Sequence, residues 1–209
     1  MAARLPAILS SLLLGACSVV GIRSGTEEPR FEVVETIGEV EIRRYAPRIA
    51  AETTVPGEEE AARNEGFRRL AGYIFGGNAR RDRIAMTAPV AQARGERIAM
   101  TAPVAQAGDA AGWTIRFFMP ARFTMDTLPM PDDARVTLVI VPEETVAVLR
   151  FSGVPRAEVV ARSTAALRAA LAESGWTATG PVQGWFYDPP WTVPALRRNE
   201  VVAPVARRE

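Results

Sequence analysis

The sequence predicts an α+β fold, an antiparallel sheet carrying two helices. Two observations point there. Short runs rich in β-branched and apolar residues recur with turn signals between them, and two longer segments carry apolar residues at helical spacing. The order is strands, helix, strands, and then the same again. That gives two halves of like order, near residues 31–119 and 135–205.

Residues 31–36 and 40–45 form a hairpin through Ile37-Gly38-Glu39, and 49–55 is a third strand ended by Pro56-Gly57. Residues 58–75 are a helix. Glu58, Glu59 and Glu60 suit the positive end of its dipole, and Phe67, Leu70, Ala71 and Ile74 fall at i, i+3, i+4 and i+7. Gly76-Gly77-Asn78 stops it, because Gly and Asn tolerate the left-handed conformation that ends helices. Then RIAMTAPVAQA occurs twice, at 83–93 and 97–107. The offset of 14 residues is even, so both copies share one strand phase. They read as a hairpin turning at Arg94-Gly95-Glu96, with Ile84, Met86, Ala88 and Val90 on one face. Pro89 and Pro103 place these strands at an edge or a bulge. Residues 113–119 are a strand, and 120–133 are a Pro-bearing loop. Its Phe123, Met125, Leu128 and Met130 either cover a cleft or plug one end of the core. Strands follow at 135–141 and 146–151. The second helix spans 156–174, and final strands lie at 185–187 and 200–205.

Composition removes much chemistry. All 25 basic residues are Arg, His is absent and there is one Cys. Without His there is no Ser–His or Cys–His pair and no imidazole on zinc or haem iron. Without Lys there is no Schiff base and no Lys-tipped phosphate loop. The formal charge of +1, with acids and bases intermixed, argues against a nucleic-acid partner. Binding by shape and apolar surface survives, as does carboxylate catalysis. For the latter, Glu58-Glu59-Glu60 and Asp132-Asp133 read as helix-dipole partners and a turn, so no enzyme is expected.

Residues 1–16 have the layout of a signal peptide: Arg4, an apolar stretch 5–14, then small residues before Cys17. The stretch is about half of the ~20 residues that cross a bilayer. Leu14-Gly15-Ala16-Cys17 resembles a bacterial lipobox, and the single cysteine of the chain sits at its acyl-acceptor position. The alternatives are an ordinary secreted protein or a short N-terminal helix. Residues 17–30 then read as the lipidated Cys and a flexible tether, and 31–205 as the folded domain. Ser18 rather than Asp follows the Cys, so the expected location is the cell envelope, lipid-anchored at the outer membrane and facing the periplasm.

VVETIGEVEIRRY, GYIFGGN, IAMTAPV, WTIRFFMP, AVLRFSG and YDPPWTVPALRRNEV, in that order, resemble the SOUL or haem-binding protein family over about residues 31–205. The resemblance implies a distorted antiparallel β-barrel of two similar halves, each with one outer helix, related to effector-binding domains. It implies non-covalent binding of haem or a related tetrapyrrole, without catalysis. Some members are thought to use an axial His or propionate-binding Lys groups, neither of which exists here. Others are thought to hold haem beside the first helix and a late loop. Mapped here, that cleft comprises Arg63, Phe67, Arg68, Arg69, Ala71, Ile74, Phe75, Tyr187 and Trp191, with Arg replacing Lys at the propionates. Met86, Met100, Tyr73 and Tyr187 are the remaining candidates for the iron. Each apolar choice also reads as helix core, and each Arg as a solvated face. The competing function is a binding module for another hydrophobic molecule, with incidental haem affinity.

Overall fold

The computed structural model describes residues 26–94 and 112–208. Ten strands and two helices follow one another as β1 (Phe31–Ile37), β2 (Val40–Tyr45), β3 (Arg48–Val55), α1 (Glu59–Ile74), β4 (Val90–Arg94), β5 (Trp113–Phe118), β6 (Thr137–Val141), β7 (Glu144–Phe151), α2 (Ala157–Ala172), β8 (Trp176–Ala178), β9 (Gln183–Phe186) and β10 (Asn199–Arg207). All strand pairs are antiparallel, in the order β1-β2-β7-β10-β9-β4-β5-β3-β6, with β8 on β10. The sheet curls into a half-barrel. Its end strands β1 and β6 do not pair, so the distorted barrel is open along that seam. Two strands, a helix and two strands run as β2–β3–α1–β4–β5, and two strands, a helix and three strands as β6–β7–α2–β8–β9–β10. That likeness is one of element order.

Period-two alternation divides the core between the two faces. On one face α1 covers Ala51, Val55, Ile115 and Phe117 with Leu70, Tyr73 and Ile74. On the same face α2 covers Val40, Ile42, Ala147, Leu149 and Val201 with Leu167 and Leu171. The helix-free face, inside the curl, carries Tyr45, Ala91, Phe118, Val146, Val148, Trp185, Tyr187 and Val202. Gly66 sets the seat of α1: a Cβ there would lie 2.7 Å from the Ile115 side chain, so only glycine allows this approach.

The repeat folds differently from expectation. Its first copy is a strand only from Val90, and that strand is central, between β5 and β9. Pro89 stands immediately before β4, where a missing N–H removes no ladder bond. Residues 83–88 run outside the sheet, which exposes Met86 while Ile84 and Ala88 stay buried. The second copy lies outside the described residues, as does Cys17. β8, three residues long and immediately after Gly175, was not anticipated. The expected tether is held at its last residues: Glu27 bridges Thr87 and accepts the Ala121 N–H at 2.7 Å, and Glu28 pairs with Arg198 at 3.0 Å. Among the described residues no helix is long and apolar enough to cross a membrane.

Candidate functional site

The buried face of α1 is Ala62, Gly66, Leu70, Tyr73 and Ile74. Residues four apart drift by about 40° around a helix, so Arg63, Phe67, Ala71 and Phe75 form a ridge along one flank of that face. The ridge is apolar and open. Phe67 is 41% exposed and Phe75, at the helix C-cap, 60% exposed. Below it runs a cross-strand row of Phe117, Val90 and Phe186 from β5, β4 and β9. The Phe67 ring meets Phe117 edge-on at 5.3 Å, and the Arg63 guanidinium lies 5.0 Å over the Phe186 ring. Among the described residues, no carboxylate is within ion-pair reach of Arg63. The site therefore has an apolar wall and a cation available to an incoming anion.

The expected cleft residues do not all meet there. Ile74 is core, 1% exposed. Arg68 and Arg69 belong elsewhere: both pair with Glu65, Arg69 at 2.8 Å, and Arg69 also reaches towards Thr53 of β3. Glu65 offsets part of their charge, with Arg69 on the flank opposite the ridge and Arg68 in solvent. Tyr187 extends the alternation of β9 onto the helix-free face, where its hydroxyl donates to Glu200 at 2.6 Å. Phe186, one residue earlier, is the aromatic group that faces α1. Trp191 is exposed in the loop after β9, whose Pro194 carbonyl accepts the Gly153 N–H near α2. Sequence reasoning missed Phe186 because Trp185, Phe186 and Tyr187 are consecutive aromatics and any phase is apolar.

The chain has three Tyr residues, and each is buried. Tyr73 donates its hydroxyl to the Pro129 carbonyl at 2.8 Å, and burial pushes its pKa up to about 12. Burial also raises Tyr45, and burial together with Glu200 raises Tyr187. None is placed as a phenolate ligand. The Tyr73 shift has a stability consequence. Its folded pKa is above the unfolded value near 10, so the neutral phenol's stabilisation is complete below pH 10 and lost between pH 10 and about 12. Chemical denaturation across that window should show a falling stability whose slope is smaller in Tyr73→Phe.

The loop 120–133 plugs the end of the α1 core. Leu128 is buried, Phe123 packs on the same cluster, and Ala79 and Asp132 N–H groups bond the Met130 and Gly77 carbonyls. Met125 and Met130 point out. On the helix-free face, Glu200 is fully buried between Arg43 (3.2 Å), Arg198 (2.8 Å) and Tyr187. Burial alone would lower the Arg43 pKa, but Glu200 raises it overall. Arg198 lies 3.9 Å over the Tyr187 ring and reaches Glu28. Every acid and base in this cluster is matched, which makes it a clamp for the barrel end. No group of three metal-binding side chains occurs among the described residues.

The sequence model of the SOUL heme-binding protein family matches residues 26–204. The chain belongs to that family. Its matched span begins with the docked Glu27 and Glu28 and ends in β10. No curated protein sequence matches the chain significantly. Among solved structures, the EcmrR C-terminal domain is 10% identical with a TM-score of 0.59, covering 80% of this chain and 97% of its own. An uncharacterised conserved protein from Listeria innocua is 15% identical with a TM-score of 0.53, over 88% and 94%. A hydrolase from the same organism is 13% identical with a TM-score of 0.51, also over 88% and 94%. At these identities the likeness is one of fold. The SOUL family is a family of binding domains, and non-covalent haem is its implied ligand.

Proposed function

We propose that this SOUL domain binds haem or a related tetrapyrrole on the ridge of α1, without a protein imidazole on the iron, while lipid at Cys17 holds it in the cell envelope. The observation that carries the reading is the exposed pair Phe67 and Phe75 in line with an Arg63 that has no carboxylate partner among the described residues. Covering these two rings removes roughly 200 Å² of aromatic surface from water, worth about 5 kcal/mol. Binding entropy consumes much of that, so the porphyrin's remaining face must lie against the half-buried Val90 and Phe186. Arg63 meets one propionate, and Arg is suited to that because its planar fork matches a carboxylate. When bound, haem supplies an iron able to take small ligands or electrons. The chain's own residues supply the apolar seat and the cation.

Because affinity rests on apolar contact and a carboxylate pair, iron-free protoporphyrin should bind comparably. Titration of the untagged protein with both should give dissociation constants within about tenfold, and a ferric spectrum that is five-coordinate or aquo. A large preference for haem would show a protein ligand on the iron and refute the unligated reading. Weak, nonsaturable uptake of both would favour a different hydrophobic ligand on the same ridge.

A further inference from the structure

The loop between β9 and β10 holds apolar side chains outward. Trp191 is 64% exposed, and Val193 and Leu196 are exposed with it, as are Pro190, Pro194 and Ala195. From Pro189 to Leu196 the chain carries no charge. Val154, also exposed, joins this surface from the turn after β7. There the Gly153 N–H donates to the Pro194 carbonyl at 2.9 Å, and the Asn199 amide donates to the Gly153 carbonyl at 3.0 Å. Single exposed apolar residues are ordinary, whereas a contiguous group marks a contact surface.

The loop is closed on itself. Thr192 is buried, and its N–H donates to the Pro189 carbonyl at 3.1 Å. Residues Pro194–Leu196 make a single 3-10 turn. Arg197 donates from Nε to the Thr192 carbonyl at 2.8 Å and from a terminal nitrogen to the Pro190 carbonyl. At the base, Asp188 accepts the Arg198 N–H at 2.6 Å. The backbone that carries Trp191, Val193 and Leu196 is therefore already ordered, which lowers the entropy cost of a contact.

We propose that this loop, with Val154, lies on the lipid surface that anchors the domain. The proposal rests on the reading of Cys17 as the lipidated residue. Glu28 pairs with Arg198 at 3.0 Å, so the chain enters the domain at the base of this loop. Cys17 is ten residues before the docked Glu27, a span that holds the loop near the bilayer at roughly millimolar effective concentration. A tryptophan presented there suits headgroup depth, where the ring is covered and the indole N–H stays with water. Arg197 in the loop and the exposed Arg156, two residues beyond Val154, bring positive charge to the rim, which suits lipid phosphates.

Because Cys17 is the single thiol, the contact can be tested without acylation. The full chain, made in the cytoplasm so that Cys17 is free, is coupled to a maleimide lipid. The vesicles are phosphatidylethanolamine and phosphatidylglycerol with brominated acyl chains, which quench tryptophan at the surface. Of the four Trp residues, Trp176 and Trp185 are buried and Trp113 is half-buried. Quenching of the wild type should fall by about threefold or more in Trp191→Phe. Val193→Asp with Leu196→Asp should lower it by a similar factor, roughly threefold, while the chain stays coupled. Equal quenching in wild type and Trp191→Phe, or none in either, would overturn the proposal, because coupling keeps every chain at the vesicle. Quenching unaffected by the two Asp substitutions would overturn it too. Cell fractionation of Cys17→Ser reports on the anchor separately, so a failed anchor and a failed contact give different results.

Discussion

Glu200→Ala should destabilise the domain by about 3–5 kcal/mol, a large share of the ~5–15 kcal/mol that holds a typical domain together. The carboxylate is fully buried and accepts from Arg43, Arg198 and Tyr187. Removing it leaves the Arg43 side chain, 6% exposed, without its long-range partner, and leaves a phenol hydroxyl with no acceptor. Glu200→Gln retains an acceptor oxygen and should lose less. Urea denaturation checks both, and a loss below about 1 kcal/mol for Glu200→Ala would show that the cluster relaxes. The carboxylate joins β10 to β2, and through Arg198 and Glu28 to the segment ahead of β1.

Cys17→Ser should abolish membrane attachment altogether, because the proposed anchor has one acyl acceptor. Each buried CH₂ of an acyl chain contributes ~0.8 kcal/mol, and only several chains together hold a protein stably. Fractionation of a diderm host should find the wild type with the outer membrane and the variant in the soluble or uncleaved fraction. A distribution unchanged by the substitution would reject the anchor. The distance from Cys17 to the docked Glu27 is ten residues, at most ~35 Å of chain, so the proposed anchor would keep the domain close to its membrane.

Periodicity carried most of the fold. Both helices and eight of the strands were legible, because their apolar residues alternate or recur at helical spacing. What failed was local and has physical reasons. β8 is too short to show a period, and it is strand only because β10 offers it partners. β4 looked like an edge because of Pro89, but the proline falls one residue outside the ladder. The open end of the sheet depends on β1 and β6 failing to meet, which no local signal records.

The site was legible as a helix but not as a flank. Apolar spacing identified α1, and basic residues identified its cationic side as a whole. Only the seat of Gly66 on Ile115 fixes the rotation that separates Arg63 from Arg69. Glu65 then decides the rest by taking both Arg68 and Arg69. Charge reversal at 68 and 69, the natural choice from sequence, is thereby the control rather than the test.

Haem affinity of charge-reversed variants tests the central claim most directly. Arg63→Glu with Phe67→Glu puts two carboxylates on the ridge, beside the propionates and in place of an exposed ring. Arg68→Glu with Arg69→Glu changes the charge by more, on surfaces away from it. The account predicts at least a tenfold loss of haem and protoporphyrin affinity in the first double variant, about 1.4 kcal/mol or more, and near wild-type affinity in the second. Both should keep the wild-type fold by circular dichroism, since all four side chains except Arg69 are at the helix surface or its open flank. The reverse pattern, with affinity lost at 68 and 69 and retained at 63 and 67, would contradict the site.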